Sequence, residues 1–370
     1  MRLLQRLVLF IACSAVLVVT SFSQTKPQYP PRPAHDPLEA FAAIQPIDTH
    51  VHVFKTDTAF QTMLQRLHLT LLNILVVDDT QDYRKQLQPQ VDQALKLMHG
   101  SDGHIAFCTG IDPYKWNEPS FSKDTVNQIN RDLKDGAVAV KLWKNIGMQI
   151  KDLQGRFVMP DDPKLAPVYK DLAQRHVTLL THFAEPDVAW LPLESNADDP
   201  STSYYRENPQ WHLYGKTGFP SKQQILDARD HVLAQNPDLR MVGVHLGSME
   251  RDLDNIARHF DKYPNFAVDT AARMEYLMLT PRDKVRAFLI KYQDRVLYGT
   301  DLDVNPDANF QEVLKDWQST YERDWKFLAT GEMVEVNGKK VQGLQLPQPV
   351  LRKIFHDNAL KWIPGLTPAK

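Results

Sequence analysis

Five side chains able to hold a cation or move a proton recur in this chain at the ends of short apolar runs. His50 and His52 are one residue apart in Ile47-Asp-Thr-His-Val-His52. On a strand, alternation puts both imidazoles on one face, about 6–7 Å apart along the chain, where they can converge on one ion. Such a pair alone arises by chance and reads equally well as two core histidines. His182 ends the run Val177-Thr-Leu-Leu-Thr-His182, His245 ends Met241-Val-Gly-Val-His245, and Asp301 follows Val296-Leu-Tyr-Gly-Thr. Gathered in one concavity, these imidazoles and the carboxylate would suit a borderline divalent ion, zinc foremost. Buried without partners they would together cost several kcal/mol, which argues against coincidence.

Something must bring these run ends together. Apolar runs of three to seven residues lie at 47–53, 72–77, 105–111, 137–142, 177–182, 241–246, 266–268 and 296–298. Several are apolar on both faces, as in strands covered on both sides. Between them, amphipathic segments of helical length lie at 84–98, 123–133, 166–175, 223–234, 250–260 and 281–292. Strand-helix alternation implies parallel strands with crossover helices, and eight such units predict a (β/α)8 TIM barrel. An open doubly wound sheet is the alternative, but the first strand leads into no glycine-rich phosphate loop. Two long loop insertions, 185–222 and 303–348, follow strand C-termini, the face on which barrel sites form. The second predicts a helix over 310–328 and a hairpin over 333–341 turning at Asn337-Gly338. These loops either cover the mouth or form the interface of a homo-oligomer.

The pieces Ile47-Asp-Thr-His-Val-His52, His182, Val244-His-Leu-Gly247, Tyr298-Gly-Thr-Asp301 and Ile354-Phe-His-Asp-Asn-Ala359 appear in that order across nearly all of 45–363. In them the chain resembles the amidohydrolase superfamily, in particular the branch containing the aminocarboxymuconate-semialdehyde decarboxylase-like enzymes. The resemblance implies that His50, His52, His182 and Asp301 hold a divalent metal. It makes His245 a catalytic acid or base with one metal bound, or a ligand of a second. Lys141, at the end of the fourth predicted strand, stands where binuclear members carry a carbamylated bridging lysine; otherwise it orients an anionic substrate or pairs with a carboxylate. Asp301 would take the proton of a metal-activated water. The implied reaction is hydrolysis of an amide, ester or lactone of a small molecule, with non-oxidative decarboxylation of a small carboxylic acid as the alternative. A binding protein that kept the barrel without its chemistry would have lost a ligand, and none is missing.

Substrate contacts are expected from Arg273 after the seventh strand, as a carboxylate clamp or a partner of Asp269, and from Glu185 and Trp143 at the mouth. Trp190, Tyr204, Tyr205, Trp211 and Tyr214 either wall the pocket or fasten the first long loop. Cys108 reads as core.

The remainder bounds the setting. The chain has 370 residues, 43% hydrophobic, with 43 basic against 45 acidic side chains and no basic run, which disfavours a nucleic-acid partner. Arg2 and Arg6, an apolar stretch over 7–20 and Ser21-Phe-Ser23 form a signal-peptide pattern, with cleavage after Ser23. The run is short for a membrane anchor, and the sequence around Cys13 is a poor lipidation box. Residues 24–44 read as a Pro-rich linker and lead-in, and 45–370 as the barrel. The expected location is secreted or periplasmic.

Overall fold

The structure is a computed structural model that describes residues 38–77 and 87–369. The leader, the linker before Leu38 and the start of the helix expected from residue 84 lie outside the described residues. Nine parallel strands form one sheet. In chain order they are β1 (Ile47–Val53), β2 (Thr70–Ile74), β3 (Ile105–Gly110), β4 (Ala139–Leu142), β5 (Thr178–Thr181), β6 (Met241–Gly243), β7 (Phe266–Asp269), β8 (Val296–Leu297) and β9 (Leu302–Val304). Neighbours in sequence are neighbours in space, except that β9 pairs with β1. β8 and β9 are one interrupted strand. The backbone N–H of Thr49 donates to Tyr298 O at 3.0 Å, and that of Asp301 to His50 O at 2.8 Å, so the gap also bonds to β1 and closes a (β/α)8 barrel.

Side chains along the strands alternate between two apolar layers. Ile47, Leu72, Cys108, Ala139, Leu180, Val242, Ala267 and Leu297, one from each of β1–β8, share an inner cluster. Their neighbours Leu71, Val140, Leu179, Met241, Phe266 and Val296 pack outward against the helices. Ala359, Trp362, Ile363 and Leu366 of the C-terminal segment complete the inner cluster and plug the barrel at the strand N-termini. Asn358 fastens the plug by donating to Gln293 O (2.7 Å) and Val296 O (2.8 Å).

The helices lie within a few residues of their predicted spans, for example Ala166–Gln174, Lys222–Gln235 and Arg282–Lys291. A helix at Thr58–Arg66, capped by the Asp57 carboxylate on Phe60 N, was not expected. β2 begins two residues earlier than predicted, and β6 ends at Gly243 instead of running on to Leu246. The segment after β9 folds as the helix Phe310–Ala329 and the hairpin Met333–Val336/Lys339–Gln342. Its turn residues Asn337 and Gly338 both have positive φ (47° and 69°), as a type I′ turn requires.

Candidate metal centre

One irregularity aims the first two histidines. Counting in twos from the inward Ile47 would turn residues 50 and 52 outward. Between Asp48 and Val51, β1 carries one residue more than β2 opposite, a bulge that reverses the parity. Val51 and Val53 then join the outer layer, and His50 and His52 face the mouth. In the other strands the inward position above the apolar layer carries the chemistry: Lys141 above Ala139, His182 above Leu180, Asp269 above Ala267. Gly299 stands above Leu297 because a Cβ there would lie 3.0 Å from His50 Cβ.

The ring nitrogens show their proton states by their neighbours. Nδ1 of His50 lies 2.9 Å from Asp269 Oδ2, Nδ1 of His52 2.8 Å from Ile74 O, and Nδ1 of His245 2.9 Å from Ala271 O. All three partners only accept, so each Nδ1 carries the proton and each Nε2 keeps its lone pair. The Nε2 atoms of His50 and His52 both lie 3.2 Å from Asp301 Oδ1. Two lone pairs and an anionic oxygen at that separation repel one another unless a cation sits among them. Donor atoms of these three residues are all within 4.8 Å of one another. His50, His245 and Asp269 form a second group as close, but Asp269 is fully engaged: Oδ2 faces His50, and Oδ1 accepts from His245 N (2.7 Å) and Ala271 N (3.2 Å). Asp269 therefore orients ligands, the second carboxylate of a carboxylate–histidine–metal arrangement.

His182 stands apart from the close triad. Its ring is 4.4 Å from that of His245, which is 4.9 Å from that of His50. Both of its ring nitrogens are buried without a hydrogen-bond partner among the described residues; Glu185 Oε2, at 3.8 Å, is too far. An orphaned buried imidazole costs about 1–3 kcal/mol, and an ion beside His182 would remove that cost. The residues present thus fit a divalent cation.

Burial holds the imidazoles of His50, His182 and His245 neutral, the form that ligates. Desolvation, with Lys141 adding to it, lowers His50; it lowers His182 to about 4 and His245 well below the usual range. Burial works against ionised Asp301, but the imidazoles of His50, His245 and His52 around it outweigh that and hold the carboxyl well below its usual range. Lys141 is fully buried, with Nζ 3.4 Å from His50 Nε2 and 5.1 Å over the Trp143 ring. Desolvation brings it down to about 8, against the pull of Asp269 and Asp301.

The backbone around these groups is strained. Ala184, His245, Leu246, Ser248, Ala272 and Asp301 all have φ between 50° and 69°, which costs L-residues roughly 1–2 kcal/mol each. The turn at 245–248 is held by Asp269 on His245 N, by Arg229 on Gly247 O (2.8 Å) and by Ser248 Oγ on Ala184 O (2.8 Å). That left-handed turn is why β6 stops at Gly243.

A cavity of about 950 Å³ opens over the centre, lined by His52, His182, His245, Asp301, Trp143 and Arg273 among others. Arg273 is buried, with NH1 on Ala272 O (2.7 Å), Nε without a partner, and no carboxylate in ion-pair contact among the described residues. The expected alternative pairing with Asp269 is not formed, because Asp269 is turned to His50. Glu185 is not an open carboxylate either. It is ion-paired with buried Lys144 and accepts from Tyr205 Oη at 3.0 Å. Lys144 also donates to Tyr204 Oη (2.9 Å) and stands 4.2 Å over the Trp211 ring. Tyr205 and Trp211 therefore fasten the first long loop, while Tyr204 and Tyr205 also line the cavity; Tyr214 is exposed. Trp143 donates to Leu75 O (3.2 Å) and lies between His52 and His182. Cys108 is buried and free. Sequence reasoning overlooked Asp269 as a ligand orienter and Lys144 altogether; a charged residue at the inward end of an apolar strand, as in Phe266-Ala-Val-Asp269, was the available signal.

A family model described as amidohydrolase matches residues 22–364. No curated protein matches the chain. Among solved structures, 2,6-dihydroxybenzoate decarboxylase from Rhizobium is 14% identical, with a TM-score of 0.51 over 86% of this chain and 98% of the other. A Staphylococcus aureus structure named for an amidohydrolase is also 14% identical, with a TM-score of 0.52 over 86% and 99%. At such identities these likenesses are ones of fold. No described helix is long and apolar enough to cross a membrane.

Proposed function

The chain belongs to the amidohydrolase family, and on that premise we propose that it is a metal-dependent hydrolase of an amide, ester or lactone bond in a small molecule that carries a carboxylate. The observation that carries this reading is the convergence of His50 Nε2 and His52 Nε2 on Asp301 Oδ1, all three in the form that binds a cation. His50, His52 and Asp301 would hold the ion, zinc foremost, with His182 next to it. When bound, such an ion supplies Lewis acidity to a water and to the scissile carbonyl. Asp301 is ionised at neutral pH and is placed to accept the proton of the attacking water. His245, pinned at Nδ1 by Ala271 O, presents Nε2 to the cavity as the second group able to receive or return a proton. Arg273, buried and without a carboxylate partner, would bind the substrate carboxylate. Trp143 walls the site, and the Lys144–Glu185 pair keeps the loop beside His182 in place. Lys141 is the group whose carbamylation would create a second ion site; its lowered basicity supplies the neutral amine that reaction needs. The signal-peptide pattern of residues 1–23 supports an exported enzyme.

Arg273, with no carboxylate in ion-pair contact among the described residues, also favours a second reading, decarboxylation of a small carboxylic acid in the same cavity. Incubation with a panel of carboxylate-bearing lactones, amides and benzoates in heavy-oxygen water separates the two. Hydrolysis puts one heavy oxygen into the product and releases no carbon dioxide. Release of carbon dioxide without heavy-oxygen incorporation would replace hydrolysis by decarboxylation.

A further inference from the structure

One buried carboxylate beneath the centre has no part in the chemistry described so far. Asp48 is fully buried in β1 and accepts four hydrogen bonds. Oδ1 takes His50 N and Thr300 N, each at 3.1 Å; Oδ2 takes Thr300 Oγ1 at 2.6 Å and Tyr321 Oη at 3.0 Å. These donors come from three places. His50 carries one candidate ligand, Thr300 precedes another, Asp301, and Tyr321 belongs to the helix Phe310–Ala329 in the long segment after β9.

The placement matters because Asp301 is held in an improbable conformation. Its φ is 69°, in the interruption between β8 and β9 where the regular ladder is lost. That interruption is tied to β1 at its start by Thr49 N and Oγ1 on Tyr298 O (3.0 and 2.8 Å), at Asp301 by its own N–H on His50 O, and between them by the double contact of Thr300 with Asp48. The same Thr300 Oγ1 also accepts from Leu302 N at 3.2 Å, so the hydroxyl brackets Asp301 on both sides. Asp48 therefore sets the separation of two ligand-bearing segments, and Tyr321 holds the carboxylate oxygen that Thr300 uses.

We propose that Asp48, Thr300 and Tyr321 are positioning residues that set the metal affinity of the His50–His52–Asp301 centre, and that the hydroxyl of Tyr321 couples the helix 310–329 to the metal. The inference rests on the metal-centre reading above. Outer contacts that orient ligands typically change metal affinity about 10–100-fold, a larger effect than a buried hydroxyl usually has on folding alone.

The same helix supplies a matched control. Tyr298 Oη donates to Asp324 Oδ2 on that helix at 3.1 Å and is as deeply buried, but does not reach Asp48. Full-length protein, stripped of metal, is titrated with cobalt(II), following affinity by chelator competition and geometry by the visible absorption of the bound ion. Tyr321→Phe is expected to weaken cobalt binding about tenfold or more and to shift the absorption, while Tyr298→Phe stays within about twofold of wild type despite a similar loss of thermal stability. Thr300→Val should weaken binding in the same way, and Thr300→Ser, which keeps the hydroxyl, should restore it; this pair carries the test if Tyr321→Phe does not fold. Wild-type protein that binds no cobalt would overturn the metal-centre reading itself. Wild-type binding with Tyr321→Phe and Thr300→Val unchanged would overturn this inference alone. Equal weakening in Tyr298→Phe would also overturn it, by reducing the effect to general destabilisation.

Discussion

The two ends of the barrel are built from the same inward columns of side chains and differ in almost every physical respect. At the strand N-termini, Ala139, Leu180 and Ala267 meet Trp362 and Ile363 in a dry apolar layer. One inward step higher, the same strands present Lys141, His182 and Asp269, beside left-handed backbone, an unpartnered imidazole and a buried amine brought down to about 8. The lower end satisfies itself. The upper end is satisfied only with something bound, and it stays in place because the lower end is already packed.

That contrast can be broken from either side. Trp362→Ala should cost about 3–5 kcal/mol of folding stability, a large-to-small change in a closed core. Metal affinity of the folded fraction should not change, and denaturant unfolding with and without cobalt reads both quantities. The upper end should instead respond to acid. His182 is held at about 4 in the folded protein against 6.5 when unfolded. Between those values the unfolded chain binds the extra proton, so stability is full above pH 6.5 and falls as the pH drops towards 4. The loss reaches roughly 3 kcal/mol from this group alone, and His50 and His245, also lowered, act in the same direction. Chemical denaturation at successive pH values, with His182→Phe for comparison, measures the share due to His182.

Metal should stabilise only through the upper end. Zinc at about a hundredfold excess over its dissociation constant should add about 2.7 kcal/mol to wild type and Trp362→Ala alike, and far less to His52→Ala; thermal unfolding with and without zinc checks this. The smallest effect separates the two ends by sign. Ala272 is exposed at φ 50°, so Ala272→Gly should raise stability by up to about 1 kcal/mol. Ala359→Gly, in the plug helix, should lower it by about 1 kcal/mol. Thermal shifts of the two variants, measured together, give both signs.

The strands, the helices and the barrel order were legible in the sequence, because apolar runs and amphipathic segments report burial directly. The histidines and Asp301 were legible because they end such runs. Three things were not. The bulge in β1 has no glycine or proline to mark it, yet it decides which face His50 occupies. The left-handed turn at 245–248 cuts β6 short although Val244-His-Leu246 continues the apolar pattern; the nearest hint was Gly243, whose Cβ would lie 2.7 Å from Phe266 Cζ. The positions of Asp48, Asp269 and Lys144 depend on partners between 41 and 273 residues away, which no local pattern reports.

The central claim is that His50, His52 and Asp301 hold a divalent ion at the mouth. Metal content per chain, measured on wild type and Asp301→Ala purified without chelators, tests it most directly. The account predicts one or two equivalents in the wild type and loss of at least one in the variant, with the variant still folded. A folded variant that keeps the full wild-type complement would contradict it.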